Sequence, residues 1–111
     1  MDTRTADRDV IEQVLTDYAA IPFSHGQVTT QTVFDRERDH YLLVLVGTDG
    51  VRRVHGSLVH VDIVGDQVVI QRDGTERGMA PLLARGGIAP GRIVLAFHPE
   101  GPFLYSDLEA A

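Results

Sequence analysis

The 111-residue chain contains no cysteine. Disulfides, thiolate metal centres and cysteine nucleophiles are therefore excluded, and the composition fits a reducing interior. Lysine is absent too, so all ten basic side chains are arginines. This removes Schiff-base chemistry, the phosphate-binding lysine of a P-loop and the acid–acid–lysine constellation common in nucleases. No apolar run approaches a membrane span, and the opening MDTRTADRDV has no resemblance to a secretory leader, which points to the cytoplasm. Positive charge is in short supply: sixteen acids against ten arginines give a formal net charge of -6. Phosphate-backbone affinity comes largely from cations displacing counterions, so this balance disfavours direct DNA binding, the local pair Arg52-Arg53 notwithstanding.

What is present reads as one domain over residues 1–111, with a single core of two packed layers. In DRDVIEQVLTDYAAI, the residues Val10, Ile11, Val14, Leu15 and Tyr18 form one helical stripe. Thr5 or Asp7 can cap its start, and Pro22 ends it before a breaker-rich linker, PFSHG. VTTQTVFD then alternates like a half-buried strand, and DRERD is a charged turn. HYLLVLVG (40–47) is apolar enough for a central strand covered on both faces. Asp49-Gly50 signals a hairpin, and VRRVHGSLVHVDI (51–63) carries Gly56-Ser57 where a bulge is expected. Gly65-Asp66 makes the next turn into QVVIQR. Thr75 to Gly86 reads as a helix, with Pro81 in its first turns and Gly86-Gly87 at its end. IAPGR is a turn or short helical turn, RIVLAFHP (92–99) a last strand, and GPFLYSDLEAA a tail with some order. Hairpin-linked strands with helices set apart make the class α+β.

Several short stretches then acquire a joint meaning. FDRERDHY, RRVHGSLVHVDI, VVIQRDGTERGMA and GRIVLAFHP, taken in order and spacing, resemble the XisI family, whose members are described as fdxN element excision controlling factors. The resemblance runs from the first helix to about Pro99. Three departures stand out: Thr48 where the family usually has tryptophan, Ser57 where cysteine is frequent, and Glu100 in place of a second proline. The resemblance implies an N-terminal helix, a curved antiparallel meander of four strands, one or two short helices and a final strand. It also implies a role beside XisH, a nuclease-like partner, in DNA rearrangement, as accessory or inhibitor.

The residues that could carry chemistry have structural readings beside functional ones. In IQRDGTER, Asp73 or Thr75 can cap the following helix, with Glu76 favoured by its dipole. Alternatively Asp73 and Glu76 form a metal-binding carboxylate pair. His60 and Asp62 share one face of a strand, since positions i and i+2 point the same way. They are a base and its orienter, two metal ligands, or members of a cross-strand ion pair or interface patch. Val59, Val61 and Ile63 then face the core. Arg38-Asp39-His40-Tyr41 opens the central strand as a charged turn or a pocket lining, with Arg38 pairing with Asp35. His98 ends the last strand, hydrogen-bonded at a sheet edge, and His40, His60 and His98 are a conceivable zinc triad whose register the sequence leaves open.

A metal-dependent hydrolase or nuclease would use His60, Asp62, Asp73 and Glu76. Six residues of strand would separate Asp73 from Asp62 by roughly 20 Å, which argues against it. We therefore expect no catalytic residue, no metal and no cofactor. Arg38, Asp39, His40, Arg53, His60, Asp62, Arg72, Asp73, Glu76 and His98 are expected instead to form motif positions and a partner surface. The expected partner is a XisH-like protein. DNA contact through Arg52, Arg53, Arg72 and Arg77 needs them on one face, and an uncovered sheet edge makes a homo-oligomer plausible.

Overall fold

The structure, a computed structural model, describes residues 2–22 and 26–109; His25 and most of the PFSHG linker lie outside them. Helix α1 (Thr3–Ala19) starts earlier than its capping signals predict. Asp2 is the N-cap and accepts the Thr5 amide at 2.7 Å. Asp7, offered as a cap, is instead buried and paired with Arg92, which ties α1 to the far end of the chain. Ile11 and Leu15 are fully buried, with Val10, Val14 and Tyr18 packed beside them. Each fully buried aliphatic side chain contributes about 1.5–3 kcal/mol.

Six strands follow in sheet order β1 to β6: β1 (Gln27–Asp35), β2 (His40–Asp49), β3 (Arg52–Val64), β4 (Gln67–Asp73), β5 (Ile93–Leu95) and β6 (Phe103–Leu104). The first four form the expected antiparallel meander. Its two tightest hairpins, closing at Asp49↔Arg52 and Val64↔Gln67, each place a glycine at the first turn position, with φ of 64° at Gly50 and 61° at Gly65.

Helix α2 (Ala80–Gly86) then crosses over, so β5 runs parallel to β4. The last strand is shorter than expected, because a turn begins at Ala96, and the tail adds β6 and a short helix, α3 (Tyr105–Glu109). IAPGR contains the helical turn anticipated, Pro90–Arg92.

The core lies on one face of the sheet. Tyr41, Leu43, Val59, Val61, Val68 and Ile70 are fully buried there beneath α1 and α2. The β2 run is therefore not covered on both sides: Leu42 and Val44, on the opposite face, are only half-buried.

Candidate functional site

The uncovered face owes its chemistry to two irregularities in strand pairing. From the hairpin at Asp49↔Arg52, regular pairing would set His40 opposite Val61. One extra residue in β3, Leu58, shifts the register between Leu43 and Val44, and His40 pairs with Asp62 instead. That shift puts His40, His60 and Asp62 on the same face. The bulge anticipated at Gly56-Ser57 is thus found one residue further on.

His40 Nδ1 and His60 Nε2 each donate to Oδ1 of Asp62 at 2.7 Å. The two imidazoles meet edge to face, with ring centroids 6.0 Å apart. Gln71, the extra residue of a second bulge where β4 passes His60, donates to Asp62 Oδ2 at 3.3 Å. Side-chain exposure is 48% for His40, 32% for His60 and 12% for Asp62, so the carboxylate is enclosed while an imidazole remains open to solvent. The hydrogen bond to Asp62 raises the pKa of His40, with Asp35 adding to it and Arg38 opposing it. The cross-strand ion pair and the metal-ligand reading of His60 and Asp62 therefore share one geometry, and His40 completes it.

The other candidates do not join this cluster. His98 lies beyond β5 and packs edge to face on Phe103 at 4.8 Å; its Nδ1 is buried without a hydrogen-bond partner, so the sheet-edge hydrogen bond is not formed. It is absent from the grouping of potential metal ligands, which among the described residues holds His40, His60 and Asp62 alone.

Asp73 pairs with Val59, only three residues from Asp62 along β3, or about 10 Å rather than 20 Å. Its carboxylate is nevertheless occupied, accepting the Thr75 amide and hydroxyl and, at 2.7 Å, the Met79 amide. Helix α2 begins only at Ala80, so Asp73 organises a loop ahead of the helix instead of capping one that starts at Thr75. Glu76 is exposed in that loop. Asp73→Ala is expected to cost about 2 kcal/mol in thermal melts, because it orphans amides bonded to a charged acceptor. Glu76→Ala should stay within about 0.5 kcal/mol.

Asp39 is buried, with φ 59°. It accepts two hydrogen bonds from Arg8, one from Arg4 and one from the buried Tyr41 hydroxyl, and its carbonyl accepts the Ile63 amide. The Arg8 contact holds the Asp39 carboxyl below the ordinary range, while burial, reinforced by Asp39, pushes the Tyr41 phenol up. Asp39 and Tyr41 are thus a structural joint, not a pocket lining. Arg38 pairs with Asp35 at 3.5 Å on the surface, as expected. Arg72 donates to the Ser57 carbonyl at 2.8 Å, and Arg53 is exposed. Neighbouring strand residues point to opposite faces, so Arg52 and Arg53 do not combine into one basic surface.

A separate groove of about 630 Å³ lies between α1 and α2, lined by Val10, Val14, Tyr18, Ile21 and Leu82, with Asp9 and Asp17 among its polar residues. It contains no histidine. No helix among the described residues is long and apolar enough to cross a membrane.

Comparison with known proteins agrees with this architecture. The family described as XisI protein matches residues 1–108. A crystal structure of a XisI-like protein from Anabaena variabilis ATCC 29413 superposes with a TM-score of 0.79 at 29% identity, covering 86% of this chain and 88% of that one. The fdxN element excision controlling factor XisI from the same organism superposes with a TM-score of 0.73 at 28% identity, covering 87% and 88%. No curated protein matches the chain.

Proposed function

The chain belongs to the XisI family, and from that premise we propose that it is a non-enzymatic regulatory protein, acting by contact with a XisH-like, nuclease-type partner in the control of DNA-element excision. One observation carries the reading: the acids that a hydrolase would use do not converge, since Asp62 is held on the sheet by His40, His60 and Gln71, Asp73 is engaged in a loop, and Glu76 is exposed in that loop. Asp7 is tied to Arg92, Asp39 to Arg4, Arg8 and Tyr41, and Asp73 to Thr75 and Met79. Two-metal phosphate chemistry needs several free carboxylates within a few ångströms of each other. Asp62 lies beside both histidines and Asp35 is paired across from His40, but both stand on a sheet face, and Asp35 is engaged by the Glu37 and Arg38 amides.

That face has the character of a contact surface. Around the histidines it presents half-buried Leu42, Val44 and Val69 and the exposed Val33, a mixed apolar and polar patch. The net charge of -6 complements the basic surface expected of a nuclease-like partner. Five of the ten arginines are already paired with carboxylates, which further weakens direct DNA contact.

Co-expression with the XisH-like protein of the same genome, followed by size exclusion at physiological salt, tests the proposal. A co-eluting complex is expected, and it should be lost in Val33→Glu/Val44→Glu and retained in Asp17→Lys, in the helical groove. No complex at micromolar concentration would defeat the reading.

A further inference from the structure

We propose that His40 Nδ1, His60 Nε2 and one carboxylate oxygen of Asp62 form a three-ligand site for a first-row transition-metal dication, zinc foremost. This goes beyond the partner reading and is independent of it. The three ligand atoms lie within 4.8 Å of one another. Zinc bonds of about 2.0–2.1 Å in tetrahedral geometry place ligand atoms about 3.3 Å apart. The two 2.7 Å hydrogen bonds to Asp62 therefore have to open by only about half an ångström as the ion replaces their protons. Two imidazoles and a carboxylate suit zinc and its neighbours, whereas magnesium and calcium prefer all-oxygen sets.

Preorganisation is the stronger argument. All three ligands stand on hydrogen-bonded strands, two directly paired and two at i and i+2, so binding orders little backbone. The Leu58 bulge is what brings His40 to the same face as Asp62, and the β4 bulge supplies Gln71 to the second carboxylate oxygen. A metal-ligating carboxylate is normally held by such an outer partner, and bulges recur where a side chain has to be aimed. The exposed side of His40 leaves the remaining coordination positions to water or to a group from another molecule.

The test uses tag-free, full-length protein, freed of metal by chelator and titrated with zinc calorimetrically and with cobalt(II) by visible absorption. One bound ion per chain is expected, with the intense visible bands of a low-coordinate cobalt centre. His40→Gln, His60→Gln and Asp62→Asn should each abolish those bands. Gln71→Leu should weaken zinc binding about tenfold. His55→Gln and His98→Gln should leave it unchanged. Circular dichroism identifies any variant that fails to fold, and Gln71→Leu then serves in its place, since it leaves all three ligands intact. Absence of zinc and cobalt binding, or binding indifferent to all four cluster substitutions, would overturn the proposal.

Discussion

Asp39→Ala is expected to cost about 3 kcal/mol of folding stability. At about 4 °C per kcal/mol for a domain of this size, the melting midpoint should fall by roughly 12 °C. The carboxylate is buried and receives Arg4, Arg8 and Tyr41, so its removal leaves the phenol and the Arg8 guanidinium without their acceptor, while Arg4 keeps only the Gly65 carbonyl. Arg4 and Arg8 retain 44% and 24% side-chain exposure, which holds the penalty to the lower end of the range for broken buried pairs.

The backbone at Asp39 separates two explanations of that loss. With φ 59° the residue is in the left-handed region, unfavourable by about 1–2 kcal/mol for an ordinary side chain. If conformation alone mattered, Asp39→Gly would match or exceed the natural protein. The Asp39 joint requires Asp39→Gly to be destabilised, by about 1 kcal/mol less than Asp39→Ala, with Asp39→Asn the mildest because it keeps an acceptor oxygen.

The pH dependence follows with a definite sign. The Asp39 pKa is depressed in the folded state, chiefly by its hydrogen bond from Arg8, so its contribution is complete above the unfolded value near 4. That contribution disappears as pH falls through the lower folded value. The stability gap between the natural protein and Asp39→Asn, read from urea midpoints, should be flat above about pH 5 and should close below about pH 4.

Gly47→Ala is expected to be as damaging, at about 3 kcal/mol or more. A β-carbon there would lie 2.0 Å from the Gln27 carbonyl oxygen and 2.7 Å from Val28 Cα, and φ is already 155°. These are backbone atoms of β1 and cannot rotate away. The start of β1 would have to separate from β2, breaking the pairs at Gln27↔Thr48 and Val28↔Gly47. Hydrogen exchange should therefore show faster loss of protection at the N-terminal end of β1 than elsewhere. Gly56→Ala is the control: a β-carbon there meets nothing within 4 Å, and the change should stay near 0.5 kcal/mol.

The contrast between these glycines shows where the sequence is legible. Gly50 and Gly65 mark two-residue hairpins because local turn chemistry decides them, and the alternation Val59, Val61, Ile63 identifies the core face of β3 for the same local reason. Gly47 is explained only by a strand twenty residues earlier. The sequence likewise places His60 beside Asp62 through strand period, yet it hides His40, whose position depends on the one-residue shift at Leu58. It misses Gln71, held at Asp62 by a second bulge, and the buried pair Asp7–Arg92, which joins opposite ends of the chain. The helix expected from Thr75 is delayed to Ala80 because Asp73 captures the Thr75 and Met79 amides in a loop. Local signals thus carry element type, while pairing register, which assembles the candidate site, is a tertiary property.

Calorimetric titration of the proposed XisH-like partner into the natural protein and into Val33→Glu/Val44→Glu decides whether the uncovered sheet face is a contact surface. Saturable binding at physiological salt, abolished by the two charges on the uncovered sheet face while the variant stays folded, is the predicted result. No binding by the natural protein, or equal binding by the variant, would contradict it.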